Sequence, residues 1–165
     1  MTTRPVLRWP DQALQVICQP VLDPSDVSDL IRDMFDTMYA APGRGLAAPQ
    51  IGINARLFVM DAGWKSGSAT PLACINPTLD LLGPCDVIDT EACLSMPNIA
   101  VRVTRADRIR LSFLDETGAA QTLELDGAAA RIAQHEADHL DGVMHIHRLS
   151  AEARASALTE WNALP

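Results

Sequence analysis

From residue 57 to residue 125 the sequence passes through six short β-type runs, 57–60, 72–75, 87–94, 100–103, 109–114 and 121–125, with no helical repeat between them. A parallel sheet needs helical crossovers between its strands, and none is available here, so the strands must pair antiparallel. The clearest pair is the last. Ile109, Leu111 and Phe113 alternate with Arg110 and Ser112, and Asp115-Glu116-Thr117-Gly118 supplies a turn before 121–125. That pattern predicts a half-buried antiparallel hairpin whose apolar face needs a cover.

Helical period returns on both flanks. Val27, Leu30, Ile31, Met34 and Met38 recur at helical spacing over 26–40, behind Asp23-Pro24-Ser25-Asp26 and ahead of Pro42-Gly43, which predicts an amphipathic N-terminal helix. Over 127–140, Ala129, Ile132, Ala133 and Leu140 form an apolar stripe; Asp126 is placed to cap the first turn and Gly142 to stop the last. This helix is the expected cover for the sheet. A C-terminal helix is expected over 151–164, after Ser150. The fold class that follows is α+β, with antiparallel sheets packed around a central helix and one further helix at each end. Pro and Gly fall singly, with no repeat or composition break, so the chain reads as one domain over 1–165. That length suffices to bury about 68 to 70 per cent of the unfolded surface.

Thirteen Lys and Arg against 21 Asp and Glu give a formal charge of −8, which repels phosphate backbones; direct nucleic-acid binding is not expected. No apolar run approaches the roughly 18 residues of a membrane helix, and residues 1–5 lack the apolar stretch of a signal peptide, so no membrane partner and a cytoplasmic location are expected. Cys18, Cys74, Cys85 and Cys93 are too sparse and irregular for a disulfide framework. In a reducing compartment each is a buried thiol or a ligand.

The chemistry concentrates in His135-Glu136-Ala137-Asp138-His139. On a helix, two histidines four apart leave from one face and can grip one metal ion, and Glu136 then stands beside any water on that metal. The sober alternative is an ordinary helix with two satisfied histidines. A third ligand decides, and there are two candidates. His145 completes an extended zinc signature with His135, Glu136, His139 and Gly142, as in metzincin endopeptidases, but the methionine turn those enzymes need has no methionine after Met144 to build it. Cys93 ends a predicted strand that Pro97-Asn98 is expected to break, although a lone cysteine is also a common packing residue. A third segment, Gly43-Arg44-Gly45-Leu46-Ala47-Ala48-Pro49-Gln50, follows a helix rather than a strand, which argues against a dinucleotide loop. Its glycines let a peptide approach the main chain, and Gln50 can aim an amide donor at an oxygen.

Taken in order, Gly-x-Gly-Leu-Ala-Ala-Pro-Gln, Glu-x-Cys-Leu-Ser and Gln-His-Glu-x-Asp-His-Leu-x-Gly resemble the three signature segments of peptide deformylases, and smaller pieces such as Ile75-Asn76-Pro77 extend the likeness over nearly the whole chain. The resemblance implies an enzyme that removes the formyl group from the N-terminal methionine of newly made polypeptides and releases formate. It also implies one divalent metal ion on Cys93, His135 and His139, Fe(II) first, with Zn(II), Ni(II) or Co(II) able to occupy the same ligands. His145 becomes a bystander. Glu136 is implied as the proton carrier, with the Gln50 side chain and the Leu94 N–H as donors to the carbonyl oxygen. N-formylmethionyl peptides and nascent chains are the implied partners, with the ribosome nearby, lying extended along Arg44, Gly45 and Ala92 with the methionine in a slot made by Ala128, Ile132 and the stem of Arg131. Glu91 and Arg105 resemble a family ion pair, and Asp138 is either a supporting group or a solvated charge.

Three departures stand out. Ala92 replaces a usual glycine, where a β-carbon narrows the cleft or resists a positive φ. Arg44 replaces a more usual aliphatic residue, and His147 stands where an acidic residue is common. The tail after Ser150 carries Arg154 against Glu152 and Glu160, so a basic ribosome-docking helix, described in some relatives, is not evident. The competing readings are a metzincin-like endopeptidase using His145 and a low-activity, deformylase-like peptide binder disabled through Ala92.

Overall fold

A computed structural model describes residues 2–165. After a 3₁₀ turn at Gln12–Gln15, a second at Pro24–Val27 leads into helix α1, Ser28–Ala40. Asp23 accepts from the Ser25 N–H and so caps the second of these turns rather than the α-helix. This is why α1 starts two residues later than its periodicity suggests.

Seven strands follow: β1 Gly45–Ala47, β2 Leu57–Met60, β3 Leu72–Leu81, β4 Cys85–Cys93, β5 Met96–Ala106, β6 Arg108–Leu114 and β7 Ala120–Asp126. All pairings are antiparallel, in one sheet ordered β1-β2-β3-β6-β7 and a separate hairpin of β4 and β5. Helix α2, Gly127–Leu140, and helix α3, Ala151–Ala163, complete the chain. The mixed α+β architecture with antiparallel sheets is the expected one. Strand β1 has no counterpart among the expected strands, because three residues carry no readable alternation.

The uninterrupted Leu57-Phe58-Val59-Met60 has a simple cause: both faces of the sheet are covered. Leu57 and Val59 pack with Ile31, Met34 and Met38 of α1, whereas Phe58 and Met60 pack with Ala130, Ala133 and Leu140 of α2. All four strand residues are buried, and each such side chain contributes about 1.5 to 3 kcal/mol. Alanines at 130 and 133 keep α2 helical and bring its axis close to the sheet. Gln134 then ties α2 to β5, donating to the Ala106 carbonyl at 2.8 Å and accepting from its N–H at 3.2 Å. A third cluster joins Cys93, Met96 and Ile99 of the hairpin to Ala157 of α3 and to Met144 and Ile146 in the segment between α2 and α3.

Local details refine these expectations. Asp126 occupies the N-cap of α2, but its side chain accepts no capping bond there. Ser150 does cap α3, accepting from the Ala153 N–H. The break after Cys93 lies at Leu94-Ser95, with Pro97 and Asn98 inside β5; Asn98 takes φ 68° and the register shifts at Ala92/Cys93, so a bulge absorbs the proline's missing donor.

Candidate metal centre

The i, i+4 spacing on α2 does bring the His135 and His139 rings together, their Nε2 atoms 3.2 Å apart. The β4 end delivers Cys93 to the same point, its Sγ 3.3 Å from His139 Nε2. The three donor atoms lie within 4.8 Å of one another, and all three residues are buried. The donor set fits one transition-metal cation. Two nitrogens on a tetrahedral ion at about 2.0 to 2.1 Å stand about 3.3 Å apart, close to the observed spacing. The tautomer also fits. His135 Nδ1 donates to Glu91 Oε2 at 2.9 Å, and a carboxylate only accepts, so Nδ1 carries a proton and Nε2 is the nitrogen left for a cation.

Electrostatics follow from burial and this grouping. Burial opposes a charge on His135, yet the Cys93 sulfur and the Glu91 carboxylate outweigh it and hold its pKa well above the ordinary value. At His139 burial lowers the pKa, and His135 and His145 lower it further. Glu136 sits on the same turn, and burial pushes its carboxyl up to about 7. Its Oε2 and His139 Nδ1 have no hydrogen-bond partner among the described residues.

His145 does not join the cluster. Its Nε2 donates to the Ile99 carbonyl at 3.2 Å, and it is not among the three residues whose donor atoms converge, so the metzincin-like reading is not favoured. Burial lowers its pKa to about 4. Asp138, for which a solvated surface role was an alternative, is buried and accepts from Arg105 Nη1 at 2.7 Å and from Arg148 Nε at 2.9 Å. Arg105 in turn grips Glu91 at 2.8 and 3.0 Å. A continuous chain therefore runs Arg148–Asp138–Arg105–Glu91–His135. Although burial works against the Glu91 charge, Arg105 and His135 keep its pKa far below the usual carboxylate range. Sequence reasoning missed the Glu91–His135 contact, since 44 residues separate the partners and no local signal joins them.

Beside the cluster lies a cavity of about 470 Å³. Arg44, Gly45, Gln50, Ala92, Cys93, Leu94, Ala128, Arg131, Ile132, His135 and Glu136 all line it, while His139 lies behind. Gln50 is oriented on both ends: Oε1 accepts from the Ala47 N–H at 2.8 Å, and Nε2 points to Ser95 Oγ at 3.1 Å and Cys93 Sγ at 3.7 Å. The Arg131 head is occupied, donating to Glu91 Oε1 and to the Val103 and Val87 carbonyls, so its stem is what remains for the cavity. Ala92 lies in strand backbone; among the described residues only Asn76 and Asn98 combine a side chain with a positive φ. The expected backbone strain at position 92 is therefore absent.

The opposite wall was not legible in sequence. Asp61 is fully buried and gathers the loop after β2, accepting from the N–H groups of Gly63, Trp64 and Thr70 and from the Tyr39 hydroxyl. Trp64 Nε1 then donates to the Gly43 carbonyl at 2.8 Å, fixing the segment that carries Arg44 and Gly45.

The polypeptide deformylase family matches residues 3–155. A peptide deformylase of Methylocella silvestris is 36% identical over 167 aligned residues, 98% of this chain and 84% of that protein. Peptide deformylase 2 of Prochlorococcus marinus (strain MIT 9313) is 42% identical over 132 residues, and the match spans 79% of this chain but 65% of that longer relative. Among solved structures, peptide deformylase from Thermus thermophilus superposes with a TM-score of 0.88 at 38% identity, covering 98% of this chain and 95% of that one. The Ehrlichia chaffeensis peptide deformylase in complex with actinonin gives 0.90 at 32% identity, with coverage of 97% and 96%. Sequence likeness and backbone likeness thus run together through all three signature segments, and the chain belongs to the peptide deformylase family.

Proposed function

We propose that the chain removes the formyl group from the N-terminal methionine of newly made polypeptides, using one divalent cation held by Cys93, His135 and His139. The observation that carries this reading is the convergence of one sulfur and two Nε2 atoms beside Glu136 in a peptide-sized cavity. A divalent cation there supplies Lewis acidity, lowering the pKa of water from about 15.7 towards 7 and polarising a carbonyl. Fe(II) is the first choice, and Zn(II), Ni(II) and Co(II) suit the same sulfur and nitrogen donors.

The chain's own residues do the rest. Glu136 takes the proton from the attacking water and returns it to the amine nitrogen as the C–N bond breaks, so that formate leaves and a free N-terminus remains. Gln50, fixed through its Oε1, offers Nε2 to the formyl oxygen as negative charge grows there, and the Leu94 N–H is a second donor, each worth about 3 kcal/mol. The substrate lies extended between the edge of β1 at Gly45 and the edge of β4 at Ala92, adding a strand whose main-chain bonds ignore side-chain identity. Its methionine enters the slot of Ala128, Ile132 and the Arg131 stem. Nascent chains as substrate place the protein in the cytoplasm near the ribosome, and no helix among the described residues is long and apolar enough to cross a membrane.

The test is anaerobic purification, metal analysis and formate release from formyl-Met-Ala-Ser, beside Glu136→Gln, Cys93→Ala and His145→Ala. The expected result is formate from wild type, a loss of about 10² to 10⁴ in Glu136→Gln, and metal lost from the Cys93 variant but kept by the His145 variant. Metal-loaded wild type that releases no formate refutes the reading and leaves a peptide binder.

A further inference from the structure

The cleft mouth carries positive charge on a chain whose formal charge is −8. Lys65 is the sole lysine of the sequence, and it lines the same cavity as Arg44, Cys93 and Glu136. Neither Arg44 nor Lys65 has a carboxylate within ion-pairing distance among the described residues, a property shared with Arg8, Arg102 and Arg154, none of which lines this cavity, whereas the other eight arginines are paired. Both residues are exposed, and the backbone that carries them is tied down. The Asp61 N–H donates to the Arg44 carbonyl at 2.8 Å, the Trp64 indole donates to the Gly43 carbonyl, also at 2.8 Å, and Lys65 Nζ lies 5.5 Å from the Trp64 ring centre.

The other side of the mouth does not cancel them. Glu91 is engaged by Arg105 and Arg131. Asp89 is the remaining acidic group at the mouth, and it accepts from the Thr90 N–H at 2.7 Å. Two unpaired cations thus face one anion. In an extended peptide successive side chains alternate, so the side chain after the methionine points away from the methionine slot.

We infer that Arg44 and Lys65 make the cleft selective for formyl-methionyl chains bearing Asp or Glu at the second residue. The inference rests on the deformylase reading above and names the substrate class of that same site. Arg44 and Lys65 act by charge and touch neither the formyl group nor the cation ligands.

The test compares metal-loaded enzyme on formyl-Met-Asp-Ala-Ser, formyl-Met-Ala-Ala-Ser and formyl-Met-Lys-Ala-Ser, in wild type and in an Arg44→Ala/Lys65→Ala double variant. An exposed charge pair discriminates by up to about fivefold, so kcat/KM should fall by about that factor from Asp to Ala and again from Ala to Lys at low salt. The series should flatten to within about twofold at 1 M salt, where the screening length is about 3 Å, and in the double variant; Lys65→Arg should keep it. Calorimetry with the unformylated Met-Asp-Ala-Ser and Met-Lys-Ala-Ser peptides should give the same order without turnover. Equal values for the Asp and Lys peptides in wild type, or an order that survives the double variant, overturns the inference. If no peptide releases formate, the function proposed above fails, and the calorimetric order still decides this one.

Discussion

A methyl group added at Gly45 tests whether Glu136 carries the reaction's proton. A β-carbon on Gly45 would stand 2.7 Å from Glu136 Cδ and 2.8 Å from its Cγ, and closer still to Oε1. Ordinary carbon contacts lie at about 3.5 to 4.0 Å, so the carboxylate must move by about 1 Å or change rotamer, and it cannot yield by swinging only its tip because Cγ is part of the clash. A misplacement of about 1 Å costs about 10² in rate, and losing the proton carrier altogether costs about 10² to 10⁴. Overpacking costs about 1 to 3 kcal/mol, or a fall in Tm of about 2 to 12 °C at this chain length. Gly43→Ala is the internal control. Its β-carbon meets Leu94 Cδ1 at 2.8 Å, the free end of a flexible side chain, and the Gly45 and Met38 carbonyls only at 3.3 and 3.4 Å, so its loss should stay under about tenfold. The assay is formate release at saturating peptide, normalised to bound metal, with Tm by circular dichroism. A folded, metal-loaded Gly45→Ala within about threefold of wild type would refute the placement of Glu136 in the reaction, since the predicted loss is at least about 10².

Two further outcomes follow from buried charge and buried sulfur. Arg105→Met strands the Glu91 and Asp138 carboxylates, both buried, and should destabilise by about 3 to 5 kcal/mol; urea unfolding showing a loss below about 1 kcal/mol would mean that Arg131 and Arg148 suffice as partners. Among the thiols, exposed Cys85 should alkylate first, whereas burial pushes Cys18 up to about 11 against the pull of nearby Arg56. Because the thiolate is the nucleophile, the Cys18 rate should rise about tenfold per pH unit between about pH 8 and 10, and mass-resolved labelling that saturates in that window would count against the burial. The sign for stability is the same: the raised folded pKa makes this contribution complete below about pH 9, and it is lost as pH climbs through about 11.

Legibility in the sequence followed the reach of the interaction. Helix α2 could be bounded from Ala129, Ile132, Ala133, Leu140 and Gly142 because a helical stripe and its stop are local, and its observed span, Gly127–Leu140, coincides with that expectation. The β6–β7 hairpin was readable for the same reason, with Asp115 holding the turn through the Thr117 and Ala119 N–H groups. Strand β1 and the turn at Leu94-Ser95 were not, because their structure depends on pairing with β2 and on the β4–β5 register, and three residues carry too little pattern to announce it.

At the candidate site the division is sharper. The chain order alone places His135 and His139 on one helical face with Glu136 between them, since 3.6 residues per turn dictates it. The residues alone left the third group open between Cys93 and His145, and only the family resemblance pointed to Cys93; in the fold, β4 ends with its sulfur 3.3 Å from His139 Nε2, while His145 Nε2 donates to the Ile99 carbonyl. The Glu91–Arg105–Asp138 chain and the Asp61–Trp64 wall likewise join residues from separate elements. Contacts across such distances depend on how two sheets and a helix pack, a property of the whole chain that no local window of sequence contains.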